Sequence, residues 1–364
     1  MTTTSQSIDE IRSRLNDGGR IEDNDALFLW QQATNDDLKE LASIVRSRFH
    51  KSKTATYTIM RIINFTNVCI AKCDYCAFYV LPDNPGGYTL TQEQIFAKID
   101  ELIEMKGDLL GFNSGFNPST VLDYFCDLFS AIRQKYGDKI EFYGLTIAEF
   151  MYMADRAGLD FDQTAKRLKS SGVYWITGGG AEILTEDFRK RHSAYKYTVR
   201  EFFEAQEVIL KNEMRTTATM VIGFDETIEE RIEHLRRTRD FQDKTDGLFS
   251  MLAWTYKPWE TDLGGQEISS NEYLRHMALC RIYLDNISHL RTSVLTQNEN
   301  ALEALEYGAN DFDLPLEDEV TQSAGATIDI DFEKLLNIPK KMGYEISYRR
   351  TERASSASSI NSAL

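Results

Sequence analysis

The chain predicts an α/β fold, a (β/α)8 barrel, on three observations. From Tyr57 onward, short runs of β-branched and aromatic residues alternate with helical stretches, the order that builds a parallel sheet with crossover helices. Eight such runs can be counted, the number that closes a barrel. The 364 residues exceed the roughly 250 of a bare barrel by enough for terminal additions. An open sheet of six strands fits the same pattern, because periodicity carries no information about closure.

In chain order, residues 1–50 read as short amphipathic helices. Ile8, Ile11 and Leu15 fall at helical spacing, and a second unit surrounds Leu38 to Phe49, together expected to cap one end of the main domain. The barrel is expected over residues 51–348. Its strands fall at Tyr57–Phe65, Asp108–Phe112, Glu141–Leu145, Tyr174–Thr177, Thr216–Ile222, Leu248–Trp254, Arg291–Leu295 and Ala309–Phe312. Among the intervening helices, Thr91–Met105 opens with Thr91 and has Gln94 three residues later, a capping box, and Thr227–Phe241 carries opposite charges at helical spacing. Residues 349–364 are Ser-rich and too poor in apolar side chains to repay ordering, so a disordered tail is expected.

Charge narrows the function. Lys and Arg total 41 against 57 Asp and Glu, a net charge of −16, whereas a protein that neutralises a phosphate backbone needs clustered positive charge. Nucleic acid is not an expected partner. Met1 to Asn16 lacks the apolar core of a signal peptide, and no apolar run approaches the ~20 residues of a membrane span, so neither export nor a membrane is expected. Five cysteines, three of them within eight residues, suit metal binding in a reducing cytoplasm better than a disulfide framework.

Those three, Cys69, Cys73 and Cys76, lie directly after the first strand, at the mouth where barrel enzymes place catalysis. Thiolates at Cx3Cx2C on a tight loop ligate three irons of a four-iron cubane and leave the fourth open, whereas a cluster that only stores electrons normally has four protein cysteines. Structural zinc is the competing reading, but it wants four closed ligands, and His50 and His192 offer no finger-like spacing. Cys126 and Cys280, within predicted helices, read as buried small hydrophobes. His234, His276 and His289 fall in helical patterns as surface or satisfied structural residues.

With Tyr75 just before the third cysteine, the motif resembles that of the radical S-adenosylmethionine (SAM) superfamily. The likeness extends through Arg61 to Asn67, Gly178-Gly-Gly-Ala-Glu182, Thr216 to Met220 with Gly223, Glu226 and Thr227, and Gly308 to Phe312, which look like the menaquinone and deazaflavin pathway group, above all its cyclic dehypoxanthine futalosine synthases. The resemblance implies one 4Fe-4S cluster, SAM chelated to the open iron, and a 5′-deoxyadenosyl radical that takes hydrogen from a nucleoside-like small molecule. It also implies a flavodoxin or ferredoxin as reductant. Radical addition on another substrate, as in aminofutalosine or deazaflavin synthesis, is the alternative within the group; an iron-sulfur electron carrier is the alternative outside enzymes.

For the site, the resemblance assigns Glu182 to the SAM ribose and Tyr75 to the adenine, with Arg189 and Arg191 as candidate partners of the SAM carboxylate. A carboxylate stabilised by a helix N-terminus is the bland reading of Glu182, and solvated surface is that of the arginines. Gly178 to Gly180 suggest close backbone approach to SAM, since no Gly-Lys-Ser/Thr follows. Departures from the group fall at Asn113-Ser114-Gly115, expected beside the cofactor, and at Thr146, Trp254 to Pro258 and Asn298, with Thr146, Trp254 and Asn298 expected beside the substrate. One gained or lost hydrogen-bonding group there changes substrate preference by orders of magnitude.

Overall fold

The computed structural model describes residues 7–351. Three helices come first: α1 (Ile8–Asn16), α2 (Asp23–Gln32) and α3 (Asn35–Arg46). α1 and α3 open on capping boxes at Ser7 and Thr34, and their apolar faces, including Ile11, Leu15, Leu38 and Val45, are buried. The second predicted unit is α3, and α2 is a further helix between the two that the apolar spacing did not single out. α2 and α3 pack on α11, described below, and Arg46 ties them to the base of the sheet. Its guanidinium donates to Lys51 O at 2.9 Å, to Ala309 O at 3.2 Å and to Thr54 O.

The sheet follows as β1 (Thr54–Ile63), α4 (Gln92–Glu104), β2 (Leu109–Phe112), α5 (Leu122–Tyr136), β3 (Glu141–Thr146), α6 (Ile147–Ala157), α7 (Phe161–Ser170) and β4 (Trp175–Thr177). It continues with α8 (Glu186–His192), α9 (Val199–Lys211), β5 (Arg215–Ile222), α10 (Ile228–Thr245), β6 (Leu248–Thr255), α11 (Ser270–Tyr283), β7 (His289–Ser293), α12 (Val294–Gln297), a 3-10 segment (Asn298–Tyr307), β8 (Asp311–Pro315), α13 (Glu319–Ser323), α14 (Phe332–Lys341) and β9 (Glu345–Tyr348).

All strand pairings are parallel, and β1 closes the ring. Its residues Thr56–Met60 pair with β8, and Met60–Ile63 pair with β2, so the fold is a closed eight-stranded barrel and the open six-stranded sheet is excluded. β9 is a ninth strand that the periodicity does not reveal. It pairs with Thr54–Tyr57 of β1, below the point where β2 begins.

The last two barrel strands are shifted from their predicted positions. β7 stops at Ser293 because that side chain caps α12, accepting from Leu295 N at 3.3 Å, and β8 starts late because Gly308, at φ 95°, still belongs to the preceding turn. His289 therefore opens a strand instead of sitting in a helix; its ring stacks on Phe249 at 4.8 Å, and burial pushes its pKa down to about 4. His234 and His276 do lie in helices, α10 and α11, and are fully buried. His234 Nδ1 accepts from Leu184 N at 2.9 Å.

The expected tail begins with residues that belong to the barrel. Arg349 Nε donates to Asp311 Oδ2 at 2.8 Å, and Arg349 N bonds Tyr57 O at 2.7 Å, which extends the pairing of β9 beyond its last residue. From residue 352 on, the predicted disorder lies outside the described residues. Because Arg46 satisfies three carbonyls at the base, Arg46→Ala should lower stability by about 3 kcal/mol, read as a drop in urea midpoint at constant slope.

Candidate active site

A cavity opens at the C-terminal ends of the strands, with about 210 Å³ open to water and with wall residues from all eight strand ends. The three cysteines of the motif line one wall, on the loop that follows β1. This loop is held by its neighbour after β2. A Cβ placed on Gly115 would come within 2.2 Å of Val68 O and 2.8 Å of Cys69 Cβ, so the backbones touch there and only glycine fits. Ser114 Oγ accepts from Thr66 N at 3.3 Å, and Gly115 N donates to Thr66 O at 3.1 Å. Asn113, Ser114 and Gly115 all line the cavity, and the last two also fix the base of the cysteine loop.

The three thiols stand in different surroundings. Cys69 Sγ accepts from Phe116 N at 3.2 Å and Ala71 N at 3.4 Å. Burial raises the pKa of Cys73 and takes Cys76 to about 11, so in the absence of metal these two are neutral, and an iron must displace their protons. Among the described residues no three His, Cys, Asp or Glu side chains gather around a single ion. A four-iron cubane would ask for no such gathering, since each thiolate would bind a different iron.

Glu182 lies in the loop beyond β4, which ends at Thr177, with its backbone at φ 41°. It is not the first turn of a helix, since α8 starts at Glu186 behind its N-cap Thr185. Its Oε1 accepts from Lys196 Nζ at 2.9 Å, and Oε2 is buried without a hydrogen-bond partner. The same ammonium donates to Tyr75 Oη at 3.0 Å, whose ring lies 5.2 Å from that of Phe224. Burial works against the Lys196 charge, yet the facing Glu182 carboxylate, by its charge and its hydrogen bond, holds the pKa above the ordinary lysine value. Sequence reasoning missed Lys196. It sits in an irregular loop with no motif, and only the fold brings it between Tyr75 and Glu182.

The two arginines are placed otherwise than the resemblance implies. Neither lines the cavity. Arg189 is buried and braces the glycine turn from behind, donating to Tyr197 O at 2.6 Å and to Gly180 O at 3.3 Å. Arg191 is half-exposed and pairs with Glu230 at 2.9 Å and Asp225 at 3.1 Å. Gly179 and Gly180 line the cavity and Gly178 does not, and the turn is pressed against protein: a Cβ on Gly178 would come within 2.4 Å of Thr217 O, and one on Gly180 within 2.3 Å of Ala148 Cβ.

Of the expected substrate contacts, Trp254 and Thr146 line the cavity and Asn298 does not; it is exposed at the start of the 3-10 segment. The Thr146 hydroxyl is already committed, donating to Glu149 Oε2 at 2.7 Å in the capping box of α6. Trp254 Nε1 is buried with no partner, and so is Oδ1 of Asp318, a wall residue after β8 that the sequence did not single out. They stand at the ends of β6 and β8 as one unpartnered donor and one unpartnered acceptor.

Residues 63–238 match the Radical SAM superfamily, and residues 245–358 match the CofH/MqnC C-terminal region. The chain is 34% identical over 348 residues to a cyclic dehypoxanthine futalosine synthase of Halalkalibacterium halodurans, covering 95% of this chain and 94% of that one. It is 33% identical to one of Streptomyces coelicolor, covering 96% and 89%. The crystal structure of methylornithine synthase superposes with a TM-score of 0.71 at 16% identity, over 96% of this chain and 99% of that one, a likeness of fold. The barrel with its cysteine loop is that of an enzyme working with a 4Fe-4S cluster and SAM. The chain belongs to the radical SAM superfamily, and the relatives it resembles over nearly its full length include these two cyclic dehypoxanthine futalosine synthases and, at 31% identity over 88% of this chain, a 4-hydroxyphenyl transferase of Methanococcoides burtonii.

The cavity also holds a titrating group. Glu149 accepts from Ser114 N and Thr146 N, both at 2.9 Å, yet burial outweighs these bonds and lifts its pKa to about 7. Between its ordinary value of 4.5 and about 7 the folded protein keeps a proton that the unfolded chain has released. This contribution is therefore full below 4.5 and lost as pH rises through 7, on the order of 3 kcal/mol. Urea titrations should show Glu149→Gln without that component of the slope.

Proposed function

We propose that the chain cyclises dehypoxanthine futalosine, with Cys69, Cys73 and Cys76 as ligands of the cluster. The reaction assignment is carried by the end-to-end likeness to the two futalosine synthases, which leaves no segment of the barrel unmatched. When bound, the cluster and SAM supply the electron and the 5′-deoxyadenosyl radical that takes a hydrogen atom from the substrate. The protein's own part is to bind, orient and exclude water.

Glu182, steadied by Lys196, offers its unpartnered Oε2 to the ribose hydroxyls of SAM, and Tyr75 packs beside the adenine. Arg189 acts from behind by fixing the Gly180 turn that presents Glu182. Trp254 Nε1 and Asp318 Oδ1 give the substrate one donor and one acceptor at the ends of β6 and β8. Each is buried, so a substrate lacking the matching group leaves it unpaired at a cost of about 1–3 kcal/mol. No helix among the described residues is long and apolar enough to cross a membrane. A flavodoxin or ferredoxin of the cytoplasm delivers the electron at the exposed Ile70 and Lys72 of the cysteine loop.

Anaerobic reconstitution should give about four irons per chain; Cys73→Ala should lose them and Cys126→Ala should keep them. Equal iron in both variants, or zinc without sulfide in the native chain, rejects the ligand set. Glu182→Gln should weaken SAM binding about 10- to 100-fold with the cluster absorbance intact. Under dithionite with SAM, mass spectrometry should find dehypoxanthine futalosine converted to a product two hydrogens lighter, with 5′-deoxyadenosine formed alongside. Deoxyadenosine at the substrate-free rate with the substrate recovered intact would reject this reaction.

A further inference from the structure

His192 ends α8, and both nitrogens of its ring face carboxylates. Nδ1 lies 2.9 Å from Asp74 Oδ2, and Nε2 lies 2.7 Å from Asp225 Oδ1. An ionised carboxylate only accepts hydrogen bonds, so the ring serves both partners only with a hydrogen on each nitrogen, as an imidazolium. The side chain is 5% exposed, which leaves little room for water to take over either bond. Beyond Asp225 the chain of charges continues through Arg191 to Glu230, alternating in sign.

Asp74 follows Cys73 in the metal loop. Among the described residues, His192 is the one side chain that bonds its carboxylate, since Oδ1 is buried without a partner. Its backbone carbonyl accepts from Leu263 N at 2.8 Å, and the next residue, Tyr75, is held by Lys196. Helix α8 and the loop after it thus grip two successive residues between Cys73 and Cys76. On the other side the ring reaches Asp225, next to Phe224, whose ring lies 5.2 Å from that of Tyr75.

We propose that His192 is a positioning residue for the iron-sulfur cluster: its imidazolium pins Asp74 and balances that carboxylate's charge beside the cluster thiolates, so that the cluster accepts an electron more readily. The proposal rests on the cysteine triplet as ligand set. Cluster potentials follow net charge and hydrogen bonding around the sulfurs, and Asp74, although 34% exposed, is the residue that directly follows the ligand Cys73. With His192 neutral or absent, Asp74 stands uncompensated and opposes the added electron. With Asp74 neutral, the imidazolium stands in excess and favours it.

The test is a potentiometric titration of the reconstituted protein followed by electron paramagnetic resonance, with iron and sulfide counted first. At the poise where the native cluster is half reduced, His192→Gln should lower the ratio of reduced to oxidised cluster about tenfold, equivalent to ~59 mV for a one-electron couple. Asp74→Asn should shift the potential the other way, and the double variant should return toward the native value. Opposite shifts that cancel cannot come from a loosened loop, which would move both single variants alike. Unchanged potentials with iron retained, shifts of the same sign, or loss of iron from both single variants would overturn the proposal. If His192→Gln alone loses iron, Asp74→Asn decides: a positive shift supports the charge balance, and no shift or a negative one overturns it. A wrong ligand set is detected separately, as iron that survives Cys73→Ala.

Discussion

Closure of the sheet at β1 is the constraint on which the rest depends. One strand pairs with β8 along its middle, with β2 along its upper half and with β9 along its lower edge, so no sheet edge is left on β1 for most of its length. Because every strand runs the same way, every strand end opens on the same face. Eight loops that are far apart in sequence then surround one cavity. The N-terminal helices and Arg349 work at the opposite end, where they satisfy carbonyls and carboxylates at the base and stay clear of the chemistry.

The cysteine loop is shaped from outside itself. It has no regular structure, and its course is imposed by backbone contact with Gly115, by the Thr66 bonds to Ser114 and Gly115, and by side chains of α8 and the following loop. Glu149 connects this support to the next strand, since one carboxylate caps α6 and also holds Ser114. Loops β1, β2 and β3 are therefore one hydrogen-bonded unit. A cluster bound there would meet a wall that needs little rearrangement.

Buried ion pairs recur around the cavity and inside the barrel. Lys196 with Glu182 and Arg291 with Asp313 are all at most 15% exposed. Such pairs cost desolvation that their attraction offsets only in good geometry, so their use here is orientation more than stability. Lys196 aims Glu182 and Tyr75 at once. Below the cavity, Arg291 and Asp313 fill the barrel interior with polar groups, several of which, including Tyr143 Oη and Asp313 Oδ2, make no hydrogen bond.

The sequence by itself determined what is local. The α/β order, the strands up to β6, the Thr91 cap, the charged helix from Thr227 and the Cx3Cx2C loop were all legible, because propensity, capping, charge spacing and ligand spacing act over a few residues. The ends of β7 and β8 were not, because a serine cap and a glycine turn decided them against the apolar pattern. What only the tertiary structure decided is which distant residues meet: Lys196, Asp318 and His192 carry no motif, while Arg189 and Arg191, beside a conspicuous glycine run, do not line the cavity. Side-chain direction in a loop is fixed by what packs against it, and that information resides in the closed barrel rather than in any segment of the chain.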